Sequence, residues 1–246
     1  MNTYGLIGFP LGHSFSKKYF TEKFEKLGIS TENNYQLFEL EDIKELPALF
    51  ANPSIKGLNV TIPHKQAVMP FLDSLDDSAA KVGAVNVIKF SQDGKKIGYN
   101  SDYYGFKLSL ESFIEGQKNL KALVLGNGGA GKAVIAALND LNIPYKIVSR
   151  NPDENSLSYT QIIDYIADYQ LIINCSPVGT YPKSDQCPEL PYDLLTEKHF
   201  LYDLVYNPIE TLFLEKGKKQ GAKVHNGLAM LHLQAEKAWE IWNTND

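Results

Sequence analysis

The stretch Gly57-Leu58-Asn59-Val60-Thr61-Ile62-Pro63-His64-Lys65 places a primary amine directly after what reads as a β-strand. Leu58, Val60 and Ile62 alternate with Asn59 and Thr61, the period-two pattern of a pleat with one apolar face. Pro63 has no N–H to donate, so the ladder is expected to stop there. An amide, a hydroxyl and an ammonium thus gather at the carboxyl end of a strand, where open α/β sheets bind their ligands. Taken alone, the stretch also fits an edge strand followed by a solvated lysine. Other residues favour the first reading. Ser14 and Ser16 fall between a strand end and a helix start. A serine there caps the helix, and a pair of hydroxyls with nearby backbone N–H groups can also surround an anion. Gly126-Asn127-Gly128-Gly129-Ala130-Gly131 stands between a strand and a helix, the order a dinucleotide fold needs. Its glycines allow a tight turn and let backbone N–H groups approach a pyrophosphate. The next strand ends on Ser149-Arg150, where an NAD site has an acidic residue for the ribose hydroxyls. Arg150 is the only arginine among 24 basic residues. A guanidinium suits a phosphate in charge and forked geometry, so the pattern predicts NADP in preference to NAD. A plain surface arginine is the alternative.

The elements that must position these groups follow from periodicity and punctuation. Residues 4–8 read as a short buried strand ending in a Gly/Pro turn. A helix follows with Tyr19, Phe20, Phe24 and Leu27 on one face and Gly28 as its stop. Residues 35–40 read as a strand and 42–50 as a short helix. After Lys65, residues 66–72 and 78–82 read as helical and 83–88 as a return to strand. Asp93-Gly94 is a two-residue hairpin signal pairing 87–90 with 96–99. Asn100-Ser101-Asp102 reads as the start of a helix through Phe106, Leu108, Leu110 and Phe113, with Asp102 a good cap. Strands are expected at 122–125, 145–148, 171–174, 201–206 and 223–225, with helices at 133–141, 209–219 and 228–242. On the last helix Gln234 lies off the centre of the apolar stripe, and spacing alone predicts solvent exposure.

Composition limits the partners. The 246 residues allow one large core or two modest ones, and 43% apolar with 22% charged residues is ordinary for a globular protein. A net charge of −5 argues against nucleic acid as the main partner. No apolar run reaches the ~18 residues of a membrane span, and the first residues carry no signal-peptide pattern. Cys175 and Cys187 have neither metal-type spacing nor the density of a disulfide framework. The expectation is a cytoplasmic protein with a small-molecule substrate and no metal, nucleic-acid or membrane partner, either monomer or homodimer.

Together the motifs resemble those of the shikimate dehydrogenase family, from the first strand to the last helix. They are Ile7 to Pro10 with His13-Ser14-Phe15-Ser16, residues 57–65, Gly83-Ala84-Val85-Asn86, and Asn100-Ser101-Asp102 with Gly105-Phe106. Residues 126–131, Asn174 with Pro177-Val178-Gly179, Asp203 to Pro208 with Thr211, and Gly227 with Met230-Leu231 and Gln234 complete the set. The resemblance implies two α/β domains with a cleft between them. One is a discontinuous substrate-binding and catalytic domain, 1–102 completed by 226–246; the other is a Rossmann-like NADP-binding domain, 103–225. It implies reversible NADPH-dependent reduction of 3-dehydroshikimate to shikimate, a step of aromatic amino acid (chorismate) biosynthesis. Carried over by position, Lys65 and Asp102 are the catalytic pair. Ser14 and Ser16 hold the substrate carboxylate, Asn59, Thr61, Asn86 and Gln234 bind hydroxyls, and Tyr206 lies near both substrate and nicotinamide. Gly126, Asn127, Gly128, Gly129, Ala130, Gly131, Ser149, Arg150 and Gly227 form the cofactor set.

Three departures stand out. Lys17 replaces the proline that usually follows the serines, and Ala235 replaces a glycine after Gln234, which is expected to bring a methyl close to the substrate. After Arg150, Asn151-Pro152-Asp153-Glu154 supplies acidic residues where the family often has a second arginine, and the segment to the next strand is short. An NAD-using quinate/shikimate dehydrogenase is therefore the nearest alternative. A non-catalytic NADP-binding regulator is the alternative of a different class.

Overall fold

The computed structural model describes residues 1–12 and 14–244. His13 of the serine motif lies outside the described residues, as do Asn245 and Asp246. In chain order the elements are β1 (Asn2–Gly8), α1 (Phe15–Lys26), β2 (Asn33–Glu39), α2 (Leu46–Phe50), β3 (Ile55–Val60), β4 (Ser74–Leu75) and α3 (Asp77–Val82). Next come β5 (Val87–Phe90), β6 (Lys96–Tyr99), α4 (Ser101–Phe113), β7 (Ala122–Leu125), α5 (Gly129–Asp140), β8 (Tyr145–Val148) and β9 (Ser156–Leu157). The chain continues through β10 (Leu171–Asn174), β11 (Phe200–Asp203), α6 (Leu212–Lys219), β12 (Lys223–His225) and α7 (Leu228–Asn243). It divides into two compact units, Met1–Ser101 with Gln234–Asp246, and Asp102–Leu233. Among the described residues no helix is long and apolar enough to cross a membrane.

The first unit is built on a mixed six-stranded sheet, β2-β1-β3-β5-β6-β4. The strand carrying Asn59 is interior, between β1 and β5, and not an edge. Both of its faces are covered. Leu58 and Val60 pack with Ile7, Leu40, Leu46 and Ile88 in one cluster. Tyr4, Leu6, Phe20, Phe24, Tyr35 and Trp242 form the cluster on the other face. Gly57 permits this second packing, since a Cβ there would meet the Trp242 ring at 2.4 Å. That ring donates through Nε1 to the Ile88 carbonyl at 3.1 Å, which anchors the end of α7 to the sheet.

Several local expectations shift. The third strand stops at Val60, before Pro63, and Ile62 is 74% exposed instead of facing the core. Residues 66–72 form turns and a 3-10 helix, Met69–Phe71, because Pro70 has no N–H for a longer helix. Gly83 takes a left-handed conformation that caps α3, so strand resumes only at Val87. The hairpin after it turns on three residues, not two: Ser91 N–H donates to the Lys95 carbonyl, and Gly94 holds φ +82°. Leu27 and Leu108 are exposed.

The second unit is an all-parallel sheet in the order β12-β11-β10-β7-β8-β9. Its core joins Leu123, Leu125, Ile172, Leu201, Phe213 and Leu214. The chain leaves β7 for β8 on one side and later returns to β10 on the other, so the crevice after β7 and β10 is a topological switch point. Between β9 and β10 the only helical piece described is a 3-10 helix, Tyr159–Asp164, held by a Ser158–Gln161 capping box. The eleventh strand ends at Asp203 rather than 206, and α6 starts at Leu212 rather than 209, with Thr211 as its cap. Asp203 enforces both changes by accepting from Val205 N–H at 3.0 Å and from the Thr211 hydroxyl at 2.6 Å.

Candidate active site

In the first unit, polar side chains from five segments meet in one hydrogen-bonded series. Tyr35 donates to Oδ1 of Asn59 at 2.7 Å. Asn59 Nδ2 lies 3.4 Å from the Asn86 carbonyl. Asn86 Nδ2 donates to the Ser101 hydroxyl at 3.1 Å and to Gln234 Oε1 at 3.5 Å, while its Oδ1 accepts from Ser101 N–H at 2.6 Å. Gln234 is half-buried within this set, against the exposure that helical spacing predicts. Ala235 turns the other way, into the aromatic core with Tyr4 and Phe20, so its methyl does not line the polar series. Ser14 caps α1, accepting from Lys17 N–H at 3.3 Å, and Ser16 sits in the first turn of that helix.

Lys65 follows on from β3 and is half-buried. Its own carbonyl accepts from Val85 N–H at 2.8 Å. The turn that carries it is pinned from below by His64, a buried residue whose Nε2 pairs with the Leu40 carbonyl at 2.7 Å. Thr61 donates through its N–H to the Ile7 carbonyl at 2.8 Å, and its methyl fills the space beside Gly8, where a Cβ would meet it at 2.5 Å. Sequence reasoning did not single out Tyr35, Ser101 or His64. Tyr35 shares the β2 alternation with buried residues, and only the order β2-β1-β3 shows that its hydroxyl reaches Asn59.

In the second unit, Asp102 is buried in the first turn of α4, inside the helix rather than at its cap. The glycine loop follows β7. Gly126 has φ +103° and donates to the Val148 carbonyl at 2.9 Å. A Cβ on Gly131 would stand 2.7 Å from the Gly126 carbonyl, so the helix approaches the strand only because this residue is glycine. Asn127, Gly128 and Gly129 are exposed, Ala130 is partly so, and Gly128 takes the cap position of α5. The N–H groups of this first turn are the donors an anionic pyrophosphate requires.

Ser149 exchanges hydrogen bonds with the Asn151 backbone, and Arg150 is exposed at the end of β8. The acidic side chain that follows is turned inward on its own loop. Asp153 accepts from Asn155 N–H and from the Ser156 hydroxyl, and those bonds hold its carboxyl below the usual range. The residues therefore fit a dinucleotide with an added phosphate. Tyr206 is 40% exposed in the loop after β11. Gly227, buried ahead of α7, donates to the Val205 carbonyl at 3.1 Å, and a Cβ on it would meet the Leu204 carbonyl at 2.1 Å. Below these loops Asn174 Nδ2 donates to Asp203 at 2.9 Å, and burial pushes the Asp203 carboxyl up to about 6.

Residues 6–88 match the shikimate dehydrogenase substrate binding domain. The chain is 43% identical over 252 residues to shikimate dehydrogenase (NADP(+)) of Clostridium beijerinckii, covering 98% of this chain and 92% of that one. Shikimate 5-dehydrogenase from Thermus thermophilus, solved with NADP(H) and shikimate, superposes with a TM-score of 0.84 at 30% identity, over 99% of this chain and 94% of the other. Quinate dehydrogenase from Corynebacterium glutamicum, solved with NAD, gives 0.89 at 26% identity, over 98% and 93%. Full-length similarity at this identity, on a fold with the same two-part organisation, shows that the chain belongs to the shikimate dehydrogenase family.

Proposed function

We propose that this chain catalyses the reversible reduction of 3-dehydroshikimate to shikimate with NADPH, a step of aromatic amino acid (chorismate) biosynthesis. The observation that carries the reading is the polar series Tyr35–Asn59–Asn86–Gln234, set in the unit whose third strand leads into Lys65. Such a set of short hydroxyl and amide groups suits a small polyol acid. In this reading the first unit binds substrate and the second binds NADP. Ser14 and Ser16 take the carboxylate; Asn59, Thr61, Asn86 and Gln234 take ring hydroxyls, with Tyr206 beside the substrate. Residues 126–131, Ser149, Arg150 and Gly227 take the cofactor, with Arg150 on the added phosphate.

When bound, NADPH supplies the hydride to the ketone carbon. The chain supplies the rest. Negative charge develops on the ketone oxygen, and the Lys65 ammonium stabilises it and donates the proton. Asp102 orients the amine and relays a proton back to it. The chain is thus an NADP-dependent oxidoreductase acting on CH–OH. The reading places it in the cytoplasm, with small molecules as its partners.

A second reading has one observation in its favour. Arg150 is the only arginine in the chain, and no second guanidinium follows it to hold a phosphate. Quinate oxidation with NAD is the corresponding activity. Initial rates with shikimate and quinate, each with NADP and NAD, separate the two. A kcat/KM for shikimate with NADP at least tenfold above the other pairs is expected. Preference for quinate with NAD would replace the substrate and cofactor assignment and leave the family unchanged. Tight NADP binding without turnover of any pair would favour a regulator.

A further inference from the structure

The second unit holds a cavity of about 530 Å³ between the 3-10 helix Tyr159–Asp164, the segment 187–192 and Lys216 of α6. None of the residues that line it belongs to the proposed substrate or cofactor set. Its size is that of a small-molecule pocket. Its walls are largely apolar and are held in place. Tyr159, Cys187, Leu190 and Tyr192 pack on the core formed by Leu125, Ile162, Leu201 and Phe213. The Tyr192 hydroxyl donates to the Pro188 carbonyl at 2.9 Å, and Tyr159 opens a 3-10 helix fixed by its capping box. Ile163 lines the same cavity and is 58% exposed. Two tyrosine rings and an uncovered isoleucine offer a flat apolar ligand a surface that already exists.

Two charged side chains line this cavity, Lys216 and Glu189. Lys216 is partly buried, with Nζ 4.9 Å from the centroid of the Tyr192 ring. The carboxylates closest to it along the chain serve other lysines: Glu210 pairs with Lys218 at 2.8 Å and Glu215 with Lys219 at 2.5 Å. Among the described residues no carboxylate closes an ion pair with Lys216. An ammonium resting on an aromatic wall without a counter-ion is suited to a carboxylate that brings its own apolar body. Glu189 is exposed and is the one acidic group of the lining. We propose that the cavity binds a small aromatic amino acid as its zwitterion, with the ring against Tyr159, Ile163 and Tyr192, the carboxylate on Lys216 and the ammonium towards Glu189. The binding is non-covalent, and the site does not depend on the reaction assigned above.

Isothermal titration with four probes, in the presence of saturating shikimate, tests the assignment. L-Phenylalanine should bind with a Kd below about 1 mM. L-Leucine, which lacks the ring, should bind at least about fivefold more weakly. Phenethylamine, which lacks the carboxylate, should lose about tenfold, the scale of a charge-assisted hydrogen bond. For 3-phenylpropionate, without the ammonium, about threefold is expected, since Glu189 is exposed. Lys216→Gln should reproduce the tenfold loss for L-phenylalanine while leaving phenethylamine binding, the unfolding midpoint and shikimate turnover unchanged. The probe series needs no variant, so it stands whether or not Lys216→Gln folds. No binding of L-phenylalanine, equal affinity for any of the three comparison probes, or an unchanged affinity in a folded Lys216→Gln would overturn the site. So would binding that appears only when shikimate is left out, because the probe would then occupy the substrate site. A wild type that turns over neither shikimate nor quinate would overturn the reaction and leave this site standing.

Discussion

The two units prepare for their ligands in opposite ways. The first does it with side chains: hydroxyls and amides of Tyr35, Asn59, Asn86 and Gln234, each already hydrogen-bonded to a neighbour. The second does it largely by omitting side chains: Gly126 and Gly131 let the helix approach the strand, and Gly128 and Gly129 leave exposed backbone as the polar surface. The first arrangement is read by atom type, and replacing one atom changes what is recognised. The second is read by shape, and adding one atom is enough to damage it. Loss is the informative lesion in the first unit and gain in the second.

The largest effect belongs to Lys65, which the proposed mechanism uses for more than binding. Lys65→Ala should lower kcat with shikimate by about 10²–10⁴-fold while KM moves much less. A raised KM with kcat intact would return Lys65 to the binding set and leave the proton donor unassigned. The next effect tests whether the second unit also depends on a polar side-chain network. Asp203 is fully buried and its carboxyl is raised from 3.8 to about 6, first by burial, against the bonds from Thr211, Val205 and Asn174. The native state therefore keeps a proton that the unfolded chain has lost between those two values. Stability from this group is complete below about pH 4 and falls as pH rises through about 6, by on the order of 3 kcal/mol in total. Denaturant unfolding across that window should show the decline in the wild type and not in Asp203→Asn. Parallel profiles would mean that the three donors keep Asp203 ionised throughout.

What was legible in the residues divides along the same line. The glycine loop could be read because its function is a backbone requirement, which sequence states directly: Gly126 needs φ +103° and Gly131 has no room for a Cβ. The strands of the second sheet at 122–125 and 171–174 were equally plain, being short apolar runs buried on both faces. The polar series in the first unit was only half visible. Asn59, Asn86 and Gln234 could be named through resemblance, but Tyr35 looks like any aromatic residue on a buried strand until β1 is seen to lie between β2 and β3. Helical spacing put Gln234 in solvent because it knows one helix at a time and not the Asn86 side chain opposite. Punctuation misled where a cap outweighed a pattern: Gly83 delayed β5, and Thr211 with Asp203 shortened both β11 and α6.

A gain of one methyl is the sharpest probe of the second unit. Gly131→Ala places a Cβ 2.7 Å from the Gly126 carbonyl, and the loop must shift to accept it. Strain of this kind costs on the order of 1–3 kcal/mol. The NADP dissociation constant should rise about tenfold or more while shikimate affinity is nearly unchanged. Equal losses for both ligands would show that the two units do not bind independently.

The smallest effect is expected at Gln234. Its bond to Asn86 is long, 3.5 Å, and Asn86 keeps the Ser101 hydroxyl at 3.1 Å and the Ser101 N–H at 2.6 Å whether or not Gln234 is present. Truncation to alanine therefore strands no buried donor, and the unfolding midpoint should barely move. What it removes is one neutral hydrogen bond to a ligand hydroxyl, which predicts a rise of about threefold to tenfold in shikimate KM with kcat nearly constant. Isothermal titration with shikimate checks the binding part without turnover. A fall in kcat as large as that of Lys65→Ala would mean that the last helix takes part in the chemical step, and the division between side chains that bind and the side chain that reacts would have to be redrawn.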